Sequence, residues 1–151
     1  MPESTALARV RRQISTARFP QLLGLKLTRL ARGKVEVRMP NRAAFRQYRG
    51  ATHGGALCAL LDTAATMASN TLIAADQDTV TIELKVNFLA AGAGRRLDAK
   101  AEVLHHGQST SITKVEIRRD DGKLCAYATV TNLIYTVKGP EVAFAVHVQR
   151  A

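Results

Sequence analysis

Between Gly54 and Ala75 the chain carries a single charge, Asp62, in a run otherwise made of apolar, small, hydroxyl and amide side chains. A lone carboxylate in such surroundings is costly unless it is paired or used. A used carboxylate works as a general base or as a nucleophile. Thr66 and Ser69, four and seven residues further on, share its helical face and offer hydroxyls to it or to a water. His53-Gly54-Gly55 stands just upstream. Other chemistries find less support. The four histidines (His53, His105, His106, His147) and two cysteines (Cys58, Cys125) lack zinc-ligand spacing. No G-x-S-x-G elbow, Walker loop or G-x-G-x-x-G is present. No metal and no cofactor is expected.

Asp62 needs a scaffold to hold it. Leu57, Leu60, Leu61, Ala64, Ala65, Ala68 and Leu72 repeat at helical spacing, which predicts a buried helix from Gly54 to Ala75. A first helix is expected over Ser4–Thr16, with Ala6, Leu7, Val10 and Ile14 on its apolar side. Leu25–Leu30 and Val35–Met39 read as a hairpin turning at Ala31–Lys34, and residues 41–53 as an irregular basic connection. From Thr79 to Leu89 the period becomes two, with Val80, Ile82, Leu84, Val86 and Phe88 predicted to face one way. Leu97–Leu104, Thr110–Arg118 and Leu124–Tyr135 complete the strands, with a hairpin turn at Asp120–Lys123. Residues 139–151 read as a tail. These elements make an α+β domain over residues 1–151, in which the apolar helix covers the apolar face of an antiparallel sheet.

Composition narrows the partners. At 46% hydrophobic and 23% charged the sequence is that of a globular domain. With 5% aromatics and no Trp, a wall of stacking rings for bases or sugars is not expected. Two cysteines make no disulfide framework and read as buried free thiols in a reducing cytosol. No apolar run reaches the ~18 residues of a membrane helix. The net charge of +10 lies in residues 1–50, where twelve Lys/Arg face only Glu3 and Glu36; the remainder balances. Such asymmetry steers an anionic ligand or nucleic acid, or forms a solvated face. No nucleic-acid motif accompanies it.

The stretch His53-Gly54-Gly55-Ala-Leu-Cys-Ala-Leu-Leu-Asp62 resembles the H-G-G-x6-D signature of hot-dog-fold acyl-CoA thioesterases of the phenylacetate-pathway (PaaI) type. Thr79-Val-Thr-Ile-Glu-Leu-Lys-Val-Asn-Phe-Leu, Asp121-Gly122-Lys123-Leu124 and Ala126-Tyr-Ala-Thr resemble the rest of that domain. The likeness spans roughly residues 20–136. It implies one long central helix wrapped by a five- to six-stranded antiparallel sheet, with an extra N-terminal helix over residues 1–19. The implied reaction is hydrolysis of an acyl-CoA to a free acid and coenzyme A, in the cytoplasm.

By the same resemblance, Asp62 is base or nucleophile, the Gly54 N–H is the oxyanion donor, and Gln47 and Thr81 assist. Gly54 suits that role, because the start of a helix offers unpaired N–H groups and the positive end of its dipole. His53, Gly55, Thr66, Arg46 and Arg49 are the expected substrate contacts, with His53 ordering the helix start rather than abstracting a proton. Arg42, Arg46 and Arg49 flank the site loop toward the phosphates of coenzyme A, and Arg95 and Arg96 are further candidates. Gly54 and Asp62 lie eight residues apart, ~12 Å along one helix, so one thioester cannot touch both. A homodimer or dimer of dimers with shared sites is therefore expected. The alternatives are a non-catalytic acyl-CoA-binding or regulatory protein of this fold, and a nucleic-acid binder.

Overall fold

The computed structural model describes residues 5–137; the expected tail at 139–151, and His147 within it, lie outside them. Six strands form one antiparallel sheet in the order β1-β2-β4-β5-β6-β3. They are β1 (Lys26–Ala31), β2 (Lys34–Pro40), β3 (Gln77–Phe88), β4 (Arg96–His106), β5 (Thr110–Arg119) and β6 (Leu124–Thr136). Helix α3 (Gly54–Asn70) follows β2, crosses the apolar face of the sheet and delivers the chain to β3 at the far edge. This is the hot-dog arrangement expected, with six strands and an N-terminal helix, α1 (Thr5–Thr16).

Side-chain size decides how closely the helix sits. Val37, Ala99, Ala101, Val115, Ala126 and Ala128 line the floor beneath α3 and are buried, as are Leu57, Leu60, Leu61, Ala64, Ala65 and Ala68 above it. Alanines on both sides let the backbones approach closely. The helix ends at Asn70, earlier than the apolar pattern suggested. There the Thr71 hydroxyl donates to the Ala68 carbonyl (2.6 Å) and accepts from the Gly33 N–H (2.7 Å). The guanidinium of Arg9, from α1, donates to the carbonyls of Asn70 (3.1 Å), Ala74 (3.0 Å) and Gln77 (3.2 Å). A cation at a helix C-terminus satisfies orphan carbonyls and the negative end of the dipole together. One of the twelve basic residues of the first third is thus a structural cap.

Other basic residues are paired across the outer face of the sheet. Glu102 lies between Lys34 (2.8 Å) and Lys114 (2.9 Å), which pull its pKa down to about 2. Glu36 lies between Arg29 and Lys100.

Three local features differ from the sequence expectation. A short helix, α2 (Arg18–Leu22), precedes β1; its proline, Pro20, lies in the first turn, where the missing N–H has no cost. Cys125 is buried, but Cys58 is only partly so. In β3 the facing changes midway: Thr81 pairs with Asn132 and Glu83 with Thr131, so Ile82 is an extra residue opposite β6. A bulge of one residue reverses every later side chain. Thr79, Thr81, Leu84 and Val86 therefore face α3, while Val80 turns outward and Ile82 is 57% exposed.

Replacing Arg9 by alanine is expected to destabilise the fold by about 2 kcal/mol, the scale of hydrogen bonds to a charged group. Arg12→Ala, an exposed change on the same helix, should cost under about 0.5 kcal/mol. Urea unfolding of both variants against wild type measures the difference.

Candidate active site

The site is built around the one charge on α3. The Thr81 hydroxyl donates to Asp62 Oδ1 at 2.6 Å. Behind it, Asn132 of β6 is fully buried and its amide nitrogen donates to the hydroxyls of Thr81 (3.0 Å) and Thr66 (3.2 Å). The Thr66 and Thr81 hydroxyls lie 3.3 Å apart. With the Asn132 amide as donor, the Thr81 oxygen accepts and its proton is aimed at the carboxylate. Asp62 itself is half-buried and opens on a groove of about 290 Å³ lined by Gln13, Ala17, Thr63, Thr66, Asn70 and Thr79.

Sequence spacing placed Thr66 beside Asp62, and it reaches the carboxylate only through Thr81. Ser69 does not join the group. It lies two turns further along, ~10 Å from Asp62, and its hydroxyl pairs with that of Ser111 in the core. Asn132 was missed. Its signal is present in the sequence: it shares a parity with Ala126, Ala128, Val130 and Ile134 of β6, all buried, and an amide among such residues needs a polar partner.

His53, Gly54, Gly55 and Gln47 gather at the N-terminal end of the helix, two turns from Asp62. His53 is the N-cap of α3, and its Nδ1 accepts the Gly55 N–H at 2.9 Å. The His53 N–H is held by the Phe45 carbonyl (2.7 Å). Gly55 is thus engaged by the cap, while the Gly54 N–H has no hydrogen-bond partner among the described residues. Gly54 opens on a cleft of about 420 Å³ lined by Gln47, Thr52, Leu57, Phe88, Leu89 and Gly92. A Cβ on Gly54 would stand 3.3 Å from the Phe88 ring, so glycine is what keeps the N–H approachable.

Gln47 begins the tight turn beside this cleft: its backbone bonds Ala51 and Gly50, and its side-chain oxygen accepts the Arg49 N–H. Arg46 donates to the Asn41 carbonyl (3.4 Å), and Arg49 lies 5.3 Å over the exposed Tyr48 ring. Cys58, one turn before Asp62, has its thiol pKa pushed up by burial and by the Asp62 charge. That opposes thiolate formation. No group of three or more His, Cys, Asp or Glu side chains with metal-binding geometry occurs among the described residues.

The six-stranded sheet wraps a helix that carries an unpaired N–H at its start and a hydroxyl-bonded carboxylate at its middle. Residues 49–126 match the thioesterase superfamily, and the chain belongs to it. YigI of Salmonella typhimurium, a medium/long-chain acyl-CoA thioesterase, is 27% identical over 131 aligned positions, covering 77% of this chain and 84% of its own. A thioesterase family protein from Silicibacter pomeroyi has a TM-score of 0.79 at 30% identity and covers 89% of this chain and 99% of its own. The PaaI protein of the Escherichia coli phenylacetic acid degradation operon has a TM-score of 0.79 at 26% identity, covering 89% and 94%. Thioester hydrolysis is the reaction class of the chain.

Asn132→Ala is expected to lower kcat about tenfold, equivalent to about 1.4 kcal/mol of transition-state stabilisation, with KM changed less than about twofold. Steady-state kinetics beside a urea melt separate this positioning effect from simple loss of folded protein.

Proposed function

We propose that the protein hydrolyses acyl-CoA thioesters with sites completed by two copies of the chain. The observation that carries the reading is the hydroxyl-bonded Asp62 carboxylate facing one groove while the unpaired Gly54 N–H faces another. Thioester hydrolysis needs both a nucleophile and a donor for the developing oxyanion. At ~12 Å apart on one helix they cannot serve one carbonyl. A two-fold pairing of antiparallel helices brings Asp62 to Gly54 of the partner subunit, twice.

The edge of the sheet favours such pairing. Strand β3 is an edge strand of twelve residues, and Ile82, Phe88 and Leu89 are each more than half exposed on or just after it. Long apolar edges persist where a second chain covers them.

In this reading Asp62 takes a proton from water as the water attacks the thioester carbon, or attacks that carbon itself. Thr81 and Thr66 hold the carboxylate and the water, with Asn132 orienting both hydroxyls. The carbonyl oxygen, as it becomes anionic, is received by the Gly54 N–H at the positive end of α3. The Gln47 amide supports the same carbonyl. His53 and Gly55 fix the helix start, and Arg46 and Arg49 attract the anionic substrate to the cleft. Collapse of the tetrahedral species expels the thiolate of coenzyme A, which takes the proton from Asp62 on the first route; on the second, water then hydrolyses the acyl–Asp62 anhydride to the free acid and regenerates the carboxylate.

Two outcomes test this. Asp62→Asn should lower kcat by ~10²-fold or more, the scale of a lost acid–base group, with size-exclusion elution unchanged. Wild-type turnover in that variant removes Asp62 from the mechanism.

The second outcome concerns the sharing of sites. Gly54→Val, whose side chain crowds the N–H and the Phe88 ring, should be inactive alone. Unfolded and refolded together with Asp62→Asn, it should restore about a quarter of wild-type activity, because half the dimers are mixed and each has one intact site. Mixed dimers without recovered activity would assign each site to a single chain.

A further inference from the structure

The short helix α2 is fixed from below and apolar on its outside. Leu23 and Leu25, which follow it, are buried in the core. The Gly24 N–H donates to the Gln21 carbonyl and the Leu25 N–H to the Pro20 carbonyl, both at 2.9 Å. Phe19 and Leu22 are nevertheless 56% and 67% exposed. Leu22 is three residues from Phe19 and four from exposed Arg18, so the three side chains share one face. A single exposed apolar residue is ordinary. Two on one face of an anchored helix form an unpartnered patch.

The site loop is tied to the end of this helix. The Arg42 guanidinium donates to the Leu22 carbonyl (3.2 Å) and occupies the space left by the missing side chain of Gly24, whose φ is +68°. Six residues after Arg42, Tyr48 is 90% exposed, the most of any large hydrophobic side chain among the described residues.

The charge around these side chains has one sign. From Thr5 to Leu61 the chain carries twelve Lys/Arg and one carboxylate, Glu36, which is held by Arg29 and Lys100. Arg18, Lys26, Arg42, Arg46 and Arg49 are exposed and make no ion pair among the described residues.

Exposed leucine and aromatic rings set among unpaired cations match the surface of an anionic bilayer. There the apolar tips enter the boundary between headgroups and acyl chains, and the cations stay at the lipid phosphates. Tyrosine, apolar in its ring and polar at its tip, suits that boundary. A second copy of the same surface, brought by a two-fold axis, would set arginine against arginine. A nucleic acid would use the cations and leave Phe19 and Leu22 in water.

We infer that α2 and the loop from Arg42 to Gly50 dock the protein on an anionic lipid surface, with Phe19, Leu22 and Tyr48 as the inserted side chains. Docking brings the turn begun by Gln47, and the mouth of the Gly54 cleft that Gln47 lines, to the lipid. The docking itself stands apart from the acyl-CoA reading. Its consequence, that a membrane-borne thioester reaches the cleft directly, rests on that reading.

The test is cosedimentation of the full chain with two sets of vesicles, one of equal parts phosphatidylglycerol and phosphatidylcholine, the other of phosphatidylcholine alone. Wild type should bind the first set, release it as salt rises, and ignore the second. Phe19→Ser/Leu22→Ser should weaken binding at least about tenfold. Arg18→Gln/Lys26→Gln should weaken it about twentyfold, at about fivefold for each cation near the surface. Lys85→Gln/Lys123→Gln, which removes the same charge elsewhere, should change binding less than about twofold.

Absence of wild-type binding to the anionic vesicles, undiminished binding by Phe19→Ser/Leu22→Ser, or an equal loss in the Lys85/Lys123 pair overturns the inference. So does binding of duplex DNA without binding of vesicles. A later size-exclusion elution of Phe19→Ser/Leu22→Ser than of wild type would assign the patch to a second copy instead. In kinetics, a long-chain acyl-CoA carried in the anionic vesicles should be hydrolysed at least about fivefold more slowly by Phe19→Ser/Leu22→Ser, and a short soluble acyl-CoA at the wild-type rate. Equal rates on the vesicles overturn the direct route to the cleft. Hydrolysis of neither by wild type overturns the acyl-CoA reading, and cosedimentation still decides the surface.

Discussion

The hydrogen bond from the Thr81 hydroxyl to the Asp62 carboxylate ties the single charge on α3 to the edge strand β3. The rest of the site depends on that bond. Without that donor, the inward oxygen of the half-buried carboxylate would have no hydrogen-bond partner among the described residues. The bond exists because Asn132, buried one strand further in, occupies both threonine hydroxyls as a donor and leaves the Thr81 proton for Asp62. It also depends on the bulge at Ile82. The bulge lets the hydroxyls of Thr79 and Thr81 and the apolar side chains of Leu84 and Val86 face the same helix from one strand.

The start of α3 is organised by a different economy of donors. His53 spends its Nδ1 on the Gly55 N–H, so the cap satisfies the second N–H of the helix and leaves the first, on Gly54, facing a cleft. Helix starts always leave several N–H groups unpaired; here the cap selects which one. Helix geometry then separates that N–H from Asp62 by two turns and more, and this separation makes pairing of subunits part of the proposed chemistry.

The basic first third divides by role once it is folded. Arg9 closes the C-terminus of α3, Lys34 and Arg29 pair with glutamates on the outer sheet face, and Arg38 is docked on Asp98. Net charge in a sequence is thus a poor measure of charge available to a ligand. Lys26, Arg38 and Arg42 of this third line one groove together with Arg95 and Arg96.

Much of this was legible in the sequence, and the reasons are local. Helix α3 and its lone Asp62 follow from the spacing of Leu57, Leu60, Leu61 and Ala64; the hairpins follow from Gly33 and Asp121-Gly122; the family follows from His53-Gly54-Gly55 with Asp62. These are properties of residues within a few positions of one another, and periodicity records them directly.

What only the tertiary structure decided depends on pairing between distant strands. Alternation in β3 could not reveal the bulge at Ile82, because an extra residue exists only relative to β6. The same holds for Asn132, 51 residues from the Thr81 it orients, and for Ser69, which the i+7 rule placed near Asp62 and the sheet drew to Ser111. Sequence spacing fixes which face of an element a side chain occupies; which neighbour meets that face is set when helix and sheet pack together.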